Sequence, residues 1–172
     1  MALEKKKLIL IFKIYKIKMD LSLFEDFNRF SKFIDFRYSS DFKFDKRSNI
    51  FEIYFKTEFD IEIYATYKII KFNSFGNENL KFLDGLDCID WHFDNYQKDK
   101  QVVKDPNHVL KIISTVMSYL KEIIKRKKIK MFKYSPTSRS RSSIYLDYFK
   151  TDEFFKDFKY VVEKDDFYFY NV

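Results

Sequence analysis

The chain has almost no glycine or proline, with 2 of each in 172 residues. Glycine-rich phosphate loops need residues without side chains, because backbone N–H groups must approach the ligand closely. The two glycines, Gly76 and Gly85, stand apart in loop-like contexts. A P-loop and a dinucleotide-binding fingerprint are therefore excluded. Cys88 is the single cysteine, so the chain cannot form an internal disulfide, which fits a reducing cytosol.

Long apolar runs are missing as well. No segment approaches the ~20 apolar residues that cross a bilayer. The basic N-terminal stretch KKKLILIFKIYKIK has an uninterrupted apolar run only from Leu8 to Phe12, and no small-residue cleavage site follows it. It is therefore not read as a signal peptide. We expect no membrane partner and a cytoplasmic location in the producing cell.

Aromatic and basic residues are abundant instead, with 22 Phe, 13 Tyr and a net charge of +7. Phe, Tyr, Lys, Ile and Asn all use AT-rich codons, so the aromatic surplus indicates an AT-rich genome rather than base stacking. With 46% hydrophobic residues, the chain can bury a sizeable core. The positive charge suits a nucleic-acid partner. Because acidic residues are mixed in among the basic ones, nucleic acid is kept as the alternative rather than the favoured partner.

The first half of the sequence predicts a helix and three strands. Residues 1–18 form a basic N-terminal extension, and residues 19–172 form a single domain. An apolar repeat near 3.6 residues, including Leu23, Phe27 and Phe30, predicts an amphipathic helix that begins at Met19. The segments IFEIYFK, FDIEIYATYKI and CIDWHFDNY alternate apolar and polar residues, which is typical of half-buried antiparallel strands. In the second of them, Phe59 is expected on the apolar face.

The second half begins with a long helix. Asp105 is the predicted N-cap and Pro106 the first helical residue, and the helix closes at Lys125–Lys128. Its apolar stripe comprises Val109, Ile112, Ile113, Val116, Leu120, Ile123 and Ile124. A strand IKMFKY, a helix over 139–149 capped by Ser138, and two strands FKYVVE and DFYFYNV follow. This order predicts an α+β fold, a mixed and mostly antiparallel sheet flanked by helices, with one β–α–β crossover.

Over about residues 50–172, this element order resembles the GNAT-type N-acetyltransferase fold. The family has a meander, a long helix after the fourth strand, a fifth strand, another helix and a closing hairpin. The segment SRSRSSIYLDYFKTDEFFKDFKYVVEKDDFYFY is similar to the end of that fold, with Ile144 and Tyr145 in its Leu-Tyr positions. Thr115-Val116 and the Arg-x-x-Ile-Tyr run from Arg141 to Tyr145 also resemble GNAT-like proteins of tailed phages.

The departures from the family concern its cofactor site. Family members bind the pyrophosphate of acyl-CoA with a glycine-containing loop before the long helix. The corresponding stretch here, KQVVKDPNHVLK, contains no glycine. Pro106 lacks an amide donor, and the carboxylate of Asp105 would repel phosphate.

The resemblance therefore implies a degenerate GNAT-like fold without ordinary acetyl-CoA chemistry and without a cofactor. We expect a non-catalytic binding or structural protein of a phage or mobile element. It would act as a virion, assembly or host-directed factor, with a protein partner within a larger assembly, and would be located in the virion or in the cytoplasm of the producing cell. The alternatives are a basic nucleic-acid-binding module and a divergent acyl-CoA-dependent acyltransferase.

Candidate catalytic residues, if the chain is an enzyme, are His92 as a general base and Tyr145, whose family counterpart can act as a general acid. His92 shares one strand face with Cys88, Asp90 and Asp94. Ligands two residues apart on one strand lie about 7 Å apart, too far to close a metal site without other residues. We therefore predict no metal site.

Candidate phosphate-binding residues are two arginines and one basic run. Arg139 and Arg141 alternate with serines in SPTSRSRSS, and the run comprises Lys125, Arg126, Lys127 and Lys128. Arginine suits bidentate phosphate contacts, so these side chains could border a nucleic-acid surface. The favoured interpretation is structural, with a solvated helix end and arginines that meet carboxylates, because no recognised nucleic-acid-binding signature is present.

Overall fold

The structure is a computed structural model that describes residues 37–97, 106–136, 146, 149–150 and 152–172. Within these residues the fold is mixed α+β, as predicted, with a seven-stranded sheet and one long helix, α1, over Pro106–Lys127. The strands are β1 (Asp41–Asp45), β2 (Ile50–Lys56), β3 (Ile61–Lys71), β4 (Asp87–Gln97), β5 (Met131–Tyr134), β6 (Lys159–Glu163) and β7 (Asp166–Tyr170). The predicted extension 1–18 and the helix from Met19 lie outside the described residues, so the proposed boundary between them stays a prediction.

The sheet has the strand order β1-β2-β3-β4-β5-β7-β6. Neighbouring strands in the described part of the chain are antiparallel, except that β4 and β5 are parallel. Parallel strands require a crossover connection, and α1 supplies it between β4 and β5. The predicted β–α–β crossover is thus confirmed. Sequence analysis missed β1, a short edge strand with the sequence DFKFD.

Side-chain alternation gives the sheet two different faces. On β3, the alternate residues from Ile61 to Ile69 are buried, as the alternation predicted. We call this the helix face; it also carries Phe51, Ile53 and Phe55 of β2. The alternate positions form what we call the open face. Phe59 was wrongly placed on the apolar face: it precedes β3 and is 41% exposed, because the chain turns there and Asp60 takes a positive φ of 62°.

Helix α1 carries the predicted apolar stripe. The stripe residues with described side chains are buried: Ile112, Ile113, Val116, Leu120, Ile123 and Ile124. The helix ends in a Schellman-type cap, in which the Ile129 N–H donates to the Ile124 carbonyl at 3.0 Å and Lys128 has a φ of 52°. Glycine is usual at that left-handed position. None of the helices in the described ranges is long and apolar enough to span a membrane.

The chain divides into two compact units, each made of three separate segments. In the described part of the first, the Tyr38 N–H donates to Thr115 Oγ1 at 2.8 Å, and Thr115 Oγ1 donates to the Lys111 carbonyl at 2.6 Å. Asp152 caps a short 3-10 helix, Glu153–Phe155, by accepting from the Phe154 N–H. Of the predicted helix over 139–149, the structure describes only residues 146 and 149, both helical.

The second unit contains the sheet and the end of α1 from Tyr119 onward. The Tyr119 ring stacks on Phe42 of β1 with ring centroids 5.9 Å apart. Farther along the helix, Lys127 Nζ lies 4.9 Å from the Phe44 ring centroid and 5.8 Å from that of Phe51. The final turns of α1 therefore pack on the helix face of β1 and β2.

Candidate functional site

The connection between β3 and β4, residues 72–86, is the most elaborated loop of the described chain, and we call it the connector. Its base is closed by two backbone hydrogen bonds, from the Phe72 N–H to the Leu86 carbonyl at 2.8 Å and from the Gly85 N–H to the Phe72 carbonyl at 2.9 Å. The carboxylate of Asp84 accepts from both the backbone N–H of Ser74 at 2.5 Å and its hydroxyl at 2.9 Å. These hydrogen bonds therefore join the first residues of the connector to its last residues.

A tight turn forms at the tip of the connector. The Asn77 N–H donates to the Ser74 carbonyl at 3.1 Å, and the two residues between them, Phe75 and Gly76, have φ values of 50° and 82°. Two consecutive positive φ angles are the signature of a type I′ turn, which strongly prefers Asn, Asp or Gly at its first central position. Phenylalanine there is a conformational outlier.

The Phe75 side chain projects into solvent and is 90% exposed. The Asn73 side chain accepts from the Phe75 N–H at 2.8 Å, which holds the residue on the turn. Both glycines of the chain, Gly76 and Gly85, lie in the connector at positive φ. The sequence thus places both of its glycines where the connector needs left-handed backbone.

The other side of the connector packs on the open face of the sheet. Leu80 and Leu83 are buried against Cys88 of β4 and Met131 of β5. Burial, with a smaller contribution from the nearby charge of Asp90, raises the pKa of the Cys88 thiol to about 12. Cys88 does share a strand face with Asp90, His92 and Asp94, as predicted, but it alone of the four is buried, because the connector covers it. A spacing of three residues, Leu80-x-x-Leu83-x-x-Leu86, was the available signal.

The remaining residues of that strand face lie where the alternation predicted. His92 and Asp94 are exposed and Asp90 is half-buried, whereas Ile89 and Trp91 are buried on the helix face. Within the described residues, no group of three or more His, Cys, Asp or Glu side chains could hold a metal ion. A catalytic role for His92 stays a prediction.

One lysine on the open face is enclosed by acidic neighbours. Lys133 Nζ lies 3.5 Å from Asp166 Oδ2, and Asp90 is its direct cross-strand neighbour. Burial alone would disfavour the ammonium, but the charge of Asp166, with Tyr168 and Asp90, raises the pKa of Lys133. Lys133 is therefore a fixed positive charge that balances carboxylates, rather than a nucleophilic amine.

The basic run at the end of α1 is partly engaged within the protein. Arg126 pairs with Glu122 one turn earlier at 2.6 Å, and Lys127 lies over Phe44 and Phe51 as described. Lys125 and Lys128 are exposed. Two of the four charges thus have contacts within the protein, and phosphate binding by the run stays a prediction. Arg139, Arg141 and Tyr145 lie outside the described residues, and so do Ser138 and Asp105.

The parallel strands β4 and β5 pair over only three residues each. The pairs run from Cys88–Met131 to Asp90–Lys133, although β4 continues to Gln97. Just beyond the last pair, the buried rings of Trp91 and Tyr134 stack with centroids 5.6 Å apart. Aromatic side chains therefore occupy the position where the two strands cease to pair.

Comparison with known proteins finds no family model, no curated protein and no solved structure that matches the chain.

Proposed function

We propose that this protein is a non-catalytic binding protein on a degenerate GNAT-like fold, and that it engages a protein partner through the connector. Its role would be that of a virion, assembly or host-directed factor of a phage or mobile element, as the sequence resemblance implies. The strand order supports such a fold. So does the long helix that joins the parallel strands β4 and β5.

The filled space beside β4 and β5 supports a non-catalytic role. A GNAT-type enzyme would need an open groove there to admit a thioester cofactor. Trp91 and Tyr134 stack in that place and are both buried. Helix α1 also begins with Pro106, which removes an amide donor from the end that would face the cofactor's phosphates.

Phe75 is the observation that carries the binding role. Aromatic side chains are enriched at the centres of protein interfaces, and burying an exposed phenylalanine contributes roughly 1.5–3 kcal/mol. The turn that bears Phe75 is closed by the hydrogen bond from the Asn77 N–H to the Ser74 carbonyl. The hydrogen bonds from Ser74 to the Asp84 carboxylate hold the start of that turn in place. Little conformational entropy would therefore be lost when a partner encloses the ring.

The experiment replaces Phe75 with asparagine. Asparagine suits the first central position of a type I′ turn, so Phe75→Asn removes the ring while it preserves the connector. The matched control is Phe59→Asn, which removes another exposed turn phenylalanine, 41% exposed before β3. A photo-crosslinking phenylalanine analogue at position 75 or 59, introduced in the native host, identifies whatever contacts each position.

We expect a discrete covalent adduct with one protein from position 75 and none from position 59. Phe75→Asn should abolish co-purification of that protein at an unchanged or higher melting temperature, and Phe59→Asn should retain it. The proposal fails if position 75 gives no adduct, or if both positions give the same set of adducts.

A further inference from the structure

The open face of β1 to β4 carries a row of side chains that no role described above uses. The register aligns Asp41 with Tyr54, Tyr54 with Tyr64, and Tyr64 with Asp94. A carboxylate thus stands at each end of a pair of tyrosines, across four adjacent strands. Directly opposed side chains on neighbouring strands lie about 5 Å apart, so the row is continuous.

The two tyrosines at the centre form a defined aromatic surface. Their ring centroids are 4.8 Å apart and the rings are inclined by 40°. The Tyr54 hydroxyl donates to Glu62 Oε1 at 3.2 Å, which fixes the orientation of that ring. Desolvation, together with this hydrogen bond, raises the pKa of Tyr54, so its hydroxyl stays protonated. Tyr64 remains 43% exposed and offers a ring to an incoming group.

Three residues of the row, Asp41, Tyr54 and Tyr64, line a concavity of about 420 Å³. Its lining on the open face comprises Asp41, Lys43, Glu52, Tyr54, Tyr64 and Thr66. The connector, which covers Cys88 and Met131, packs at other positions of the same face. This volume lies within the range of small-ligand sites and would hold one or two extended side chains.

Negative charge dominates around the tyrosines, although the whole chain carries a net charge of +7. Asp41 and Asp94 end the row, Glu62 accepts a hydrogen bond from Tyr54, and Glu52 lines the concavity opposite Lys43. Of the nearby lysines, Lys56 is held at 2.5 Å by Asp60 in the β2–β3 turn. Only Lys43 contributes a positive charge to the concavity lining. A nucleic-acid backbone would be repelled here, even though tyrosines on an open sheet face could stack on bases.

Cations are the ligands that this combination favours. The face of a tyrosine ring attracts an ammonium or guanidinium group. Guanidinium also stacks flat on aromatic rings and bonds carboxylates with two parallel hydrogen bonds. The spacing of the row places a carboxylate beside each ring, so one arginine side chain could meet both partners at once.

We propose that the Asp41–Tyr54–Tyr64–Asp94 row is a binding site for an arginine-containing basic peptide segment of a partner protein. The guanidinium lies over Tyr64 and pairs with the carboxylate of Asp94, or lies over Tyr54 and pairs with that of Asp41. The site is separate from Phe75 in sequence and rests on different observations. A negative result at one of the two sites therefore does not refute the proposal for the other.

The test uses a fluorescein-labelled hexa-arginine peptide, with fluorescence anisotropy read across a salt series. A protein of net positive charge repels such a peptide overall, so saturable binding at ~150 mM salt requires a local acidic site. Asp41→Asn combined with Asp94→Asn preserves side-chain shape and removes both charges. We expect this pair to weaken binding by several-fold to about tenfold. Tyr64→Leu should weaken it by roughly two- to fivefold.

Two controls separate the site from general electrostatics and from misfolding. Asp157→Asn and Asp165→Asn remove the same number of charges elsewhere, at residues that are exposed, and should leave the affinity unchanged. Thermal melts show that each variant is folded. The proposal is overturned if the row variants bind the peptide as tightly as the wild type. It is overturned equally if a labelled single-stranded RNA binds more tightly than the peptide and loses affinity with the row variants.

Discussion

Truncating Leu83 tests whether the connector is part of the cooperative fold. Leu83 is a fully buried residue of the connector that packs with Leu80 against Cys88 and Met131 of the sheet. Leu83→Ala removes buried methyl groups and leaves a cavity, which costs about 2–5 kcal/mol. For a chain of this size, each kcal/mol lowers the melting temperature by about 2–4 °C, so a fall of roughly 5–20 °C is expected. Lys81 is exposed and shares with Leu83 a short 3-10 helix, Lys81–Leu83, and Lys81→Ala should change the melting temperature by less than about 2 °C.

The thiol of Cys88 provides a direct assay of connector opening. Cys88 is the single cysteine, it is 1% exposed, and burial raises its pKa to about 12. A disulfide-exchange reagent therefore reaches it only when the connector opens or the protein unfolds. If Leu83→Ala lowers the opening free energy by about 2–5 kcal/mol, labelling at pH 8 should accelerate by roughly 30-fold to several thousand-fold.

Two results would refute this reasoning. One is a wild-type labelling rate equal to that of the urea-unfolded chain, which would show that the connector does not cover Cys88. The other is a Leu83→Ala variant that labels within about twofold of the Lys81→Ala control at an unchanged melting temperature. The truncation would then have created no cavity, and Leu83 would not lie in a packed core.

Three further predictions concern the helix, the alkaline limit of stability and the cofactor. Val116 is fully buried, so Val116→Asp should lower the free energy of unfolding by several kcal/mol. Circular dichroism should show a strongly lowered melting temperature or no melting transition. An unchanged melting temperature would contradict the burial of Val116. Burial raises the pKa of Cys88 in the folded chain to about 12, whereas an ordinary thiol, as in the unfolded chain, has a pKa near 9.0. Between these pH values the unfolded chain loses the proton and the folded chain keeps it. The free energy of unfolding of the wild type should therefore fall as pH rises through this range, by up to about 4 kcal/mol. Urea unfolding of Cys88→Ala at the same pH values should lack that part of the decline. Acetyl-CoA titrated calorimetrically should show no micromolar binding, and a one-to-one isotherm would restore the acyltransferase alternative.

Regular elements could be predicted because their burial repeats with a fixed period. In β3, Ile61, Ile63 and Ala65 alternate with polar residues, and the structure buries every one of them. In α1 the stripe through Val116 and Leu120 follows the helical period just as closely. Burial of apolar side chains is the main driving force of folding, so a strong periodic pattern determines the type of element.

The connector could not be predicted, because its contacts depend on tertiary structure. Leu80 and Leu83 carry a three-residue spacing that is too short to distinguish a 3-10 helix from a loop. Their burial requires knowing that Met131, distant in the sequence, would lie beside Cys88. The unusual turn at Phe75 was also missed, since phenylalanine is not a residue that signals positive φ. The aligned row from Asp41 to Asp94 depends on strand register, which alternation alone does not supply.

The lysines that hold left-handed backbone at Lys128 and Lys164 bear on how this protein could evolve. Such a conformation costs a residue with a β-carbon roughly 1–2 kcal/mol, and asparagine tolerates it better than lysine. Lysine codons become asparagine codons by a single base change that can leave the AT content unaltered, whereas glycine requires two changes that both add G. In a lineage whose genome is AT-rich, as the composition predicts, selection for a more stable protein should therefore act first at these turns. The expected substitution is Lys→Asn, and glycine would stay rare even where the backbone favours it.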